Sequence, residues 1–305
     1  MSLHLYNLTL EDPQNINESI VGQFSGTKSQ EIAVNKSNIL EIYRLNLETI
    51  KLELIASSRL FSIIRSIKAF KLTGSKKDFI VVSSDSGKLT VLELVGDKLV
   101  VLHSETYGKT GVRRIIPGQF LTCDPKGRSL MIASLDKSKL VYILNRDNQA
   151  NLTISSPLEA NRNNSITHHI TAVDTGYENP QFAALETDYE EIDQDPTGEA
   201  LINSNKLITF YELDLGLNHV VKKWSEPTDP KANMLIQVPG GQSASTDTFD
   251  GPSGVLICTV DYLIWYRPEA ESHRVPIPKR SHPLENNTSD GTIIISAVLH
   301  KMKVS

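Results

Sequence analysis

The sequence predicts an all-β fold, a β-propeller of the WD40-like type, on three observations. Pairs of apolar runs joined by a short polar turn recur along the chain, they recur at a regular spacing, and almost no stretch has helical periodicity. An all-β sandwich also contains such hairpins, but it does not require a regular spacing over most of 305 residues. We therefore expect successive four-stranded blades around a common axis.

The clearest hairpin is FIVVSSDSGKLTVLEL, residues 79–94. Its first four residues are apolar without alternation, which is typical of a strand buried on both faces. The polar break ends in Gly87, which can adopt the positive φ that a tight hairpin requires. Apolar residues resume at Leu89, so a second strand is predicted there.

Six hairpins of this kind follow one another. Their first residues are 48, 50, 53, 73 and 37 positions apart, close to the length of a propeller blade. Further strand candidates flank each hairpin, for example 65–74 and 98–106, which gives about four strands in each unit. The hairpins begin at Glu31, Phe79, Ser129, Phe182, Val255 and Thr292.

The predicted domain organisation is one propeller over residues 1–305 with two inserted loops. A seven-bladed ring at this spacing needs about 365 residues, so the chain would supply most of a ring and later residues would close it. We therefore expect an N-terminal part of a longer multi-propeller protein. The insertions are an acidic loop at 186–206 and a Gly/Ser-rich loop at 239–254, and the one modest helix candidate is 156–164.

The charge is distributed unevenly and excludes some classes of partner. Seven of the 36 acidic residues lie within 186–199, and the other 29 nearly balance the 31 basic residues. A near-neutral surface argues against a broad nucleic-acid footprint. Two cysteines, Cys123 and Cys258, fit a reducing compartment rather than a disulfide scaffold. We find neither a signal peptide nor an apolar run of membrane-spanning length, and we expect a soluble intracellular protein with no membrane partner.

The acidic segment admits several interpretations. Asp193, Asp195 and Gly198 match three positions of a calcium loop, but Ser204 occupies the place of the bidentate Glu. A glycosidase would need two carboxylates held across a pocket by rigid neighbours, which a mobile loop does not guarantee. A solvated loop and a docking site for a basic partner remain.

Of these interpretations we carry forward docking, with a solvated insertion as the alternative. Like charges repel one another, so the loop is expected to be loosely ordered in the free chain and to gain order when cations approach. Tyr189 is expected to be an aromatic anchor at the centre of the acidic rim. The partner-binding candidates are Asp188, Tyr189, Glu190, Glu191, Asp193 and Asp195.

Two further motifs do not form an active site. His168 and His169 are adjacent on a strand-like segment, where side chains alternate faces and cannot both reach one metal ion. Ser253 lies in GPSG, which is not the G-x-S-x-G nucleophile elbow, and its Gly/Ser-rich surroundings lack the order of a phosphate-binding loop. We predict no catalytic, metal or cofactor-binding residue, no small-molecule substrate and no enzymatic activity.

Small basic pairs occur at strand borders without the aromatic residues that a single-strand nucleic-acid platform uses. They are Arg113-Arg114, Lys222-Lys223 and Lys279-Arg280.

Several long segments of unusual sequence resemble a known family. They resemble the start of the large β-propeller subunits of splicing factor 3b, a component of the U2 small nuclear ribonucleoprotein. The clearest departure is the loop GGQSASTDTFDGPSG, which looks like an expanded version of a shorter family loop. The matching segments are 24–34, 66–87, 113–128, 139–147, 152–160, 188–200 and 210–227.

The resemblance implies a fold and a function. The fold would be three propellers in tandem with a helical end, of which this chain is most of the first. The function would be that of a nuclear scaffold in pre-mRNA splicing during branch-site recognition. Its partners would be the helical-repeat (HEAT) subunit and other subunits of splicing factor 3b, with U2 particle and pre-mRNA contacted mainly indirectly.

Alternatives from the same fold stay open at this point. Related propellers serve DNA-damage ubiquitin ligases and mRNA 3′-end processing, and a propeller hydrolase or sugar binder is a distant further class. The short segments SSPLEA and DYEE favour the splicing factor 3b subunits over these alternatives.

Overall fold

A computed structural model of the chain consists of strands β1 to β23 and two short helices in the part that it describes. No helix in that part is both long and apolar enough to cross a membrane. The described residues are 11–107, 118–149, 151–161, 164–176, 178–242, 249–278 and 291–297.

Five antiparallel sheets follow one another along the chain and form blades 1 to 5. Blade 1 consists of β1 to β4, Glu18–Gly22, Glu31–Lys36, Ile39–Asn46 and Lys51–Arg59. Blade 2 consists of β5 to β8, Ile64–Phe70, Phe79–Ser84, Lys88–Val95 and Lys98–Thr106. Blade 3 consists of β9 to β13, Phe120–Cys123, Ser129–Ala133, Lys139–Arg146, Leu152–Ile154 and Leu158–Asn161.

Blades 4 and 5 carry the two insertions. Blade 4 consists of β14 to β17, Ser165–Val173, Gln181–Asp188, Lys206–Asp214 and His219–Thr228. Between β15 and β16 lie the helices α1 and α2, Glu190–Gln194 and Glu199–Asn203. Blade 5 consists of β18, β21, β22 and β23, Met234–Gln237, Val255–Cys258, Tyr262–Tyr266 and His273–Pro276. A separate ladder pairs β19 with β20, Gly240–Gln242 and Phe249–Pro252.

The first strand of each blade lies beside the first strand of the next. β1 contacts β5, β5 contacts β9, β9 contacts β14, and β14 contacts β18. Within each blade the later strands follow in order away from this inner row. Equivalent strands that neighbour one another around an axis define a propeller, so the predicted fold class is confirmed.

The apolar cores lie between the blades. Ile42 of blade 1 packs in one cluster with Ile67 and Ile80 of blade 2, and similar clusters fill the next three blade boundaries. Because blades 2 to 4 each lie between two neighbouring sheets, their middle strands are buried on both faces. The four residues from Phe79 to Val82 are all buried, as their non-alternating pattern predicts.

The helix candidate at 156–164 is wrong. Residues Leu158–Asn161 form β13 and pair with β11, which also pairs with β12. The edge of β11 offers unpaired backbone groups, and an extended segment satisfies them better than a short helix interrupted by Pro157.

The structure adds detail to the inserted loops and to the start of the sixth hairpin. The acidic insertion contains two helical turns, and the Gly/Ser-rich loop begins and ends in the β19–β20 ladder. Residues 291–297 contain no strand, and the rest of the sixth hairpin lies outside the described residues. This segment nevertheless contacts blade 5, because Asn233, directly before β18, donates from Nδ2 to the Ile294 carbonyl at 2.8 Å.

One turn holds an unfavourable residue. Ile50, between β3 and β4, has φ of 54°, and its side chain is 80% exposed. The turn is closed by Asn46 Oδ1, which accepts the amides of Glu48 and Thr49 at 2.9 and 3.2 Å. A β-branched residue is poorly suited to the left-handed region, where glycine meets no steric cost.

We predict that Ile50→Gly raises the free energy of unfolding by about 1 kcal/mol, because it relieves this strain while removing an exposed side chain. Denaturant unfolding of the purified protein measures the change. Leu47→Gly is the control, since Leu47 is 83% exposed in the same turn and does not have a positive φ. Equal effects of the two substitutions would contradict the explanation.

Candidate protein-docking surface on blade 4

The acidic insertion joins the second and third strands of blade 4. β15 runs to Asp188 and β16 begins at Lys206, so both strands extend to the base of the insertion. The side chains of four candidate acids are exposed, and that of Asp195 is half-buried. In the described part of the chain no lysine or arginine forms an ion pair with these five acids. The four exposed acids are Asp188, Glu190, Glu191 and Asp193.

Tyr189 turns inward, whereas a surface position was expected. Its side chain is 8% exposed, and its hydroxyl donates to Asp136 Oδ1 at 2.7 Å. Asp136 lies in the β10–β11 turn of blade 3, so this bond crosses a blade boundary. The Tyr189 amide donates to the Asn164 carbonyl, and the Tyr189 carbonyl accepts the amide of Asp193, both at 2.9 Å. Tyr189 therefore fixes the start of α1 against blade 3.

Asp195 organises the turn between the two helices. Its carboxylate accepts the Ala200 amide at 2.7 Å and the amide and hydroxyl of Thr197 at 2.8 and 2.6 Å. These bonds, the Ala200 amide above all, lower the pKa of the Asp195 carboxyl. Gly198 supplies a φ of 76° at the start of α2. Asp195 thus shapes the insertion, while the other four acids face solvent.

A buried ion pair lies beneath the insertion. Lys139 of β11 is 0% exposed and Glu186 of β15 is 3% exposed, and their Nζ and Oε1 atoms are 2.5 Å apart. The Tyr211 hydroxyl lies 3.2 Å from both oxygens of Glu186, to which it donates. Lys139 Nζ also donates to Ser165 Oγ at 3.4 Å. The network joins blade 3 to three strands of blade 4.

The sequence placed Glu186 among the seven acids of the loop, and nothing in it indicated this internal role. Its partner Lys139 is 47 positions away in the chain. The apolar run before Glu186 suggested a strand, but the length of that strand could not be read from it. With Glu186 inside, the surface of the insertion is less acidic than its composition suggests.

We predict that Lys139→Met destabilises the protein by about 3–5 kcal/mol, because it leaves the Glu186 charge buried without its partner. Thermal and denaturant unfolding measure the loss. Adding Glu186→Gln to Lys139→Met should recover part of that stability, since the remaining group is neutral. A double variant as unstable as Lys139→Met would show that packing of the lysine stem, rather than charge, is decisive.

The two adjacent histidines have separate structural partners. His168 Nε2 is 2.8 Å from Thr187 Oγ1, whereas His169 Nδ1 accepts the Leu235 amide of blade 5 at 3.4 Å. A bulge between Thr167 and His169 adjusts the register of β14. Among the described residues no three His, Cys, Asp or Glu side chains are grouped to hold a metal ion.

Burial, with a smaller effect of the Lys68 charge, lowers the pKa of His169 from 6.5 to about 4. In acid the unfolded chain therefore takes up this proton before the folded chain does, and stability falls as the pH decreases below about 6.5. We predict that His169→Asn, whose side-chain oxygen can accept the Leu235 amide, loses roughly 2 kcal/mol less stability between about pH 7 and pH 4.5. Denaturant titrations of both proteins across this range test it; parallel pH profiles would contradict it.

Other candidates also serve the fold. The Ser253 hydroxyl donates to the Asp174 carbonyl at 2.5 Å and is buried. Lys223 pairs with Glu212 at 3.1 Å. Burial raises the pKa of the Cys123 and Cys258 thiols to about 12 and about 11, which keeps both protonated. Arg113-Arg114 and Lys279-Arg280 lie outside the described residues.

The repeated sheets around one axis place the chain in the class of β-propeller proteins. Residues 15–305 match the family described as the RSE1/DDB1/CPSF1 first beta-propeller. The chain belongs to this family.

Relatives from a fungus, a fish and a plant support the family resemblance found in the sequence. The chain is 53% identical to pre-mRNA-splicing factor RSE1 of Mycosarcoma maydis and 50% identical to splicing factor 3B subunit 3 of Danio rerio. It is 49% identical to spliceosome-associated protein 130 A of Arabidopsis thaliana. Each match covers 99% of this chain but only 24–25% of the relative, so the chain spans about a quarter of their length.

Proposed function

We propose that this chain is the first propeller of a splicing factor 3B subunit and acts as a nuclear scaffold in pre-mRNA splicing. The observation that carries the proposal is identity near 50% over 99% of the chain to proteins named as splicing factors in a fungus, a fish and a plant. Splicing takes place in the nucleus, so the proposed location is nuclear.

A scaffold role agrees with the chemistry of the candidate residues. The hydroxyl of Ser253 and the imidazoles of His168 and His169 have structural hydrogen-bond partners. The two cysteine thiols stay protonated at neutral pH. A nucleophile needs an activating base or a lowered pKa, and these groups have neither arrangement. We therefore assign the protein a non-catalytic function based on protein–protein contacts.

The acidic insertion is the proposed docking site for the helical-repeat subunit of splicing factor 3B. Its four exposed acids lack basic partners in the described part of the chain, and a partner can supply lysine or arginine to them. Tyr189 and Asp195 hold the acids in position, so part of the ordering cost is already met within the chain. Through this subunit the propeller supports branch-site recognition and contacts the U2 particle and pre-mRNA indirectly.

Charges at the rim of an interface act mainly on association rate and on its salt dependence. Neutralising Asp188, Glu190, Glu191 and Asp193 to Asn or Gln should lower the association rate with the helical-repeat subunit about tenfold at low salt and flatten its salt dependence. Stopped-flow or surface-based kinetics of the full-length protein measure both quantities. Asp195 is left unchanged because it closes the turn of the insertion.

A matched control removes the same charge elsewhere. Exposed acids at the connections between third and fourth strands are changed to Asn or Gln in a second variant, which should associate at the normal rate. If both variants behave like the unchanged protein while remaining folded, the insertion is a solvated loop and the docking proposal fails. The control acids are Glu48, Asp97, Glu269 and Glu271.

A further inference from the structure

The connection between blades 1 and 2 exposes an aromatic ring completely. Phe61 lies between β4 and β5 and is 100% exposed, and Ile63 beside it is 42% exposed. Phenylalanine is among the residues most often buried, because its ring is large and wholly apolar. Among the side chains whose burial the structure describes, Phe61 is the one aromatic residue in the exposed class.

The backbone that presents this ring is held on both sides. The Leu60 amide donates to the Asn38 carbonyl at 2.8 Å, in the β2–β3 turn of blade 1. The Asp85 amide donates to the Ile63 carbonyl at 2.9 Å, in the β6–β7 turn of blade 2. A ring on a backbone fixed at both ends loses little entropy on binding, which is the usual property of an interface anchor.

Phe61 and the acidic insertion share one face of the propeller. Each blade repeats the same strand order, so all connections from second to third strands, and from a fourth strand to the next blade, lie at the same end of the sheets. Phe61 lies in a connection of the second type and the insertion in one of the first. We call this end of the sheets the insertion face.

Other exposed apolar side chains lie on the insertion face at blades 3 and 4. Leu135, in the β10–β11 turn, is 37% exposed, and Ile166 of β14 is 39% exposed; the Thr167 amide donates to the Leu135 carbonyl at 2.8 Å, so the two segments adjoin. On α2, Leu201 and Ile202 are 62% and 82% exposed beside the acids. Apolar residues bordered by charge are typical of a protein interface.

We propose that Phe61 is an apolar anchor for the same helical-repeat subunit that the acidic insertion attracts. The insertion face then receives a basic, amphipathic helical surface, with apolar side chains on Phe61 and Ile63 and lysine or arginine toward the acids. Charge complementarity favours this occupant over RNA, whose phosphates the acids would repel. The identity of the partner rests on the proposed function, whereas the burial of Phe61 on assembly can be tested separately.

The first experiment measures whether position 61 becomes covered. Full-length protein carrying Phe61→Cys is alkylated with iodoacetamide in the assembled complex and after release by high salt, and the modified peptides are quantified by mass spectrometry. Leu217→Cys is the matched control, since Leu217 is 78% exposed in the β16–β17 turn at the opposite end of the sheets. We expect alkylation at 61 to be at least tenfold slower in the complex, and alkylation at 217 to be unchanged.

Equal alkylation of position 61 in the complex and in the released protein would overturn the proposal. So would protection that disappears after ribonuclease treatment, because the occupant would then be RNA. If Phe61→Cys folds normally but no longer assembles, the anchor is supported, since an exposed side chain contributes little to the fold itself.

The second experiment identifies the partner. Phe61→Ser should weaken equilibrium binding of the full-length protein to the isolated helical-repeat subunit about tenfold, with an unchanged salt dependence, whereas Leu217→Ser should bind normally. Unchanged affinity of Phe61→Ser contradicts the assignment to this subunit. Position 61 could be protected from alkylation in the assembled complex although the isolated helical-repeat subunit does not bind the propeller. That combination would reject this subunit as the partner, but it would still support Phe61 as an anchor for another protein.

Discussion

The structure depends on the packing of each sheet against a neighbouring sheet. A single four-stranded sheet with two apolar faces is not stable in water, and each blade here acquires its core only where it meets a neighbour. The clusters at the blade boundaries draw on residues from both sheets, as when Ile42 meets Ile67. This requirement explains the uninterrupted apolar runs in the sequence. Because most strand side chains pack in the cores, residues that can bind a partner lie mainly in the connections between strands.

Polar groups also strengthen these boundaries, as two examples show. Glu18 of β1 accepts the Ile67 amide of blade 2 at 2.8 Å and pairs with Lys68 at 2.5 Å. At the boundary of blades 3 and 4, Thr122 Oγ1 accepts the Ala172 amide at 2.9 Å. Such bonds need matched geometry from both blades, so they select one relative position of neighbours that apolar packing alone would leave less defined.

The fold could be predicted because a blade has a local signature, whereas the site depended on contacts between distant residues. The hairpin at 79–94 has its apolar runs and its turn glycine next to one another, so the sequence alone identifies it. The inward position of Tyr189 depends on Asp136, 53 residues earlier, and the burial of Glu186 depends on Lys139. The exposure of Phe61 could not be predicted from the sequence either, because the apolar run around it resembles a buried strand.

The bond from Tyr189 to Asp136 couples the start of the insertion of blade 4 to the β10–β11 turn of blade 3. The first helical turn of the insertion begins at a residue whose side chain is held by the neighbouring sheet. A mechanical load that separates the two sheets would release the tyrosine and allow the acids to reorient. Conversely, a partner bound to those acids would be linked through Tyr189 to both sheets and would restrain the boundary between them.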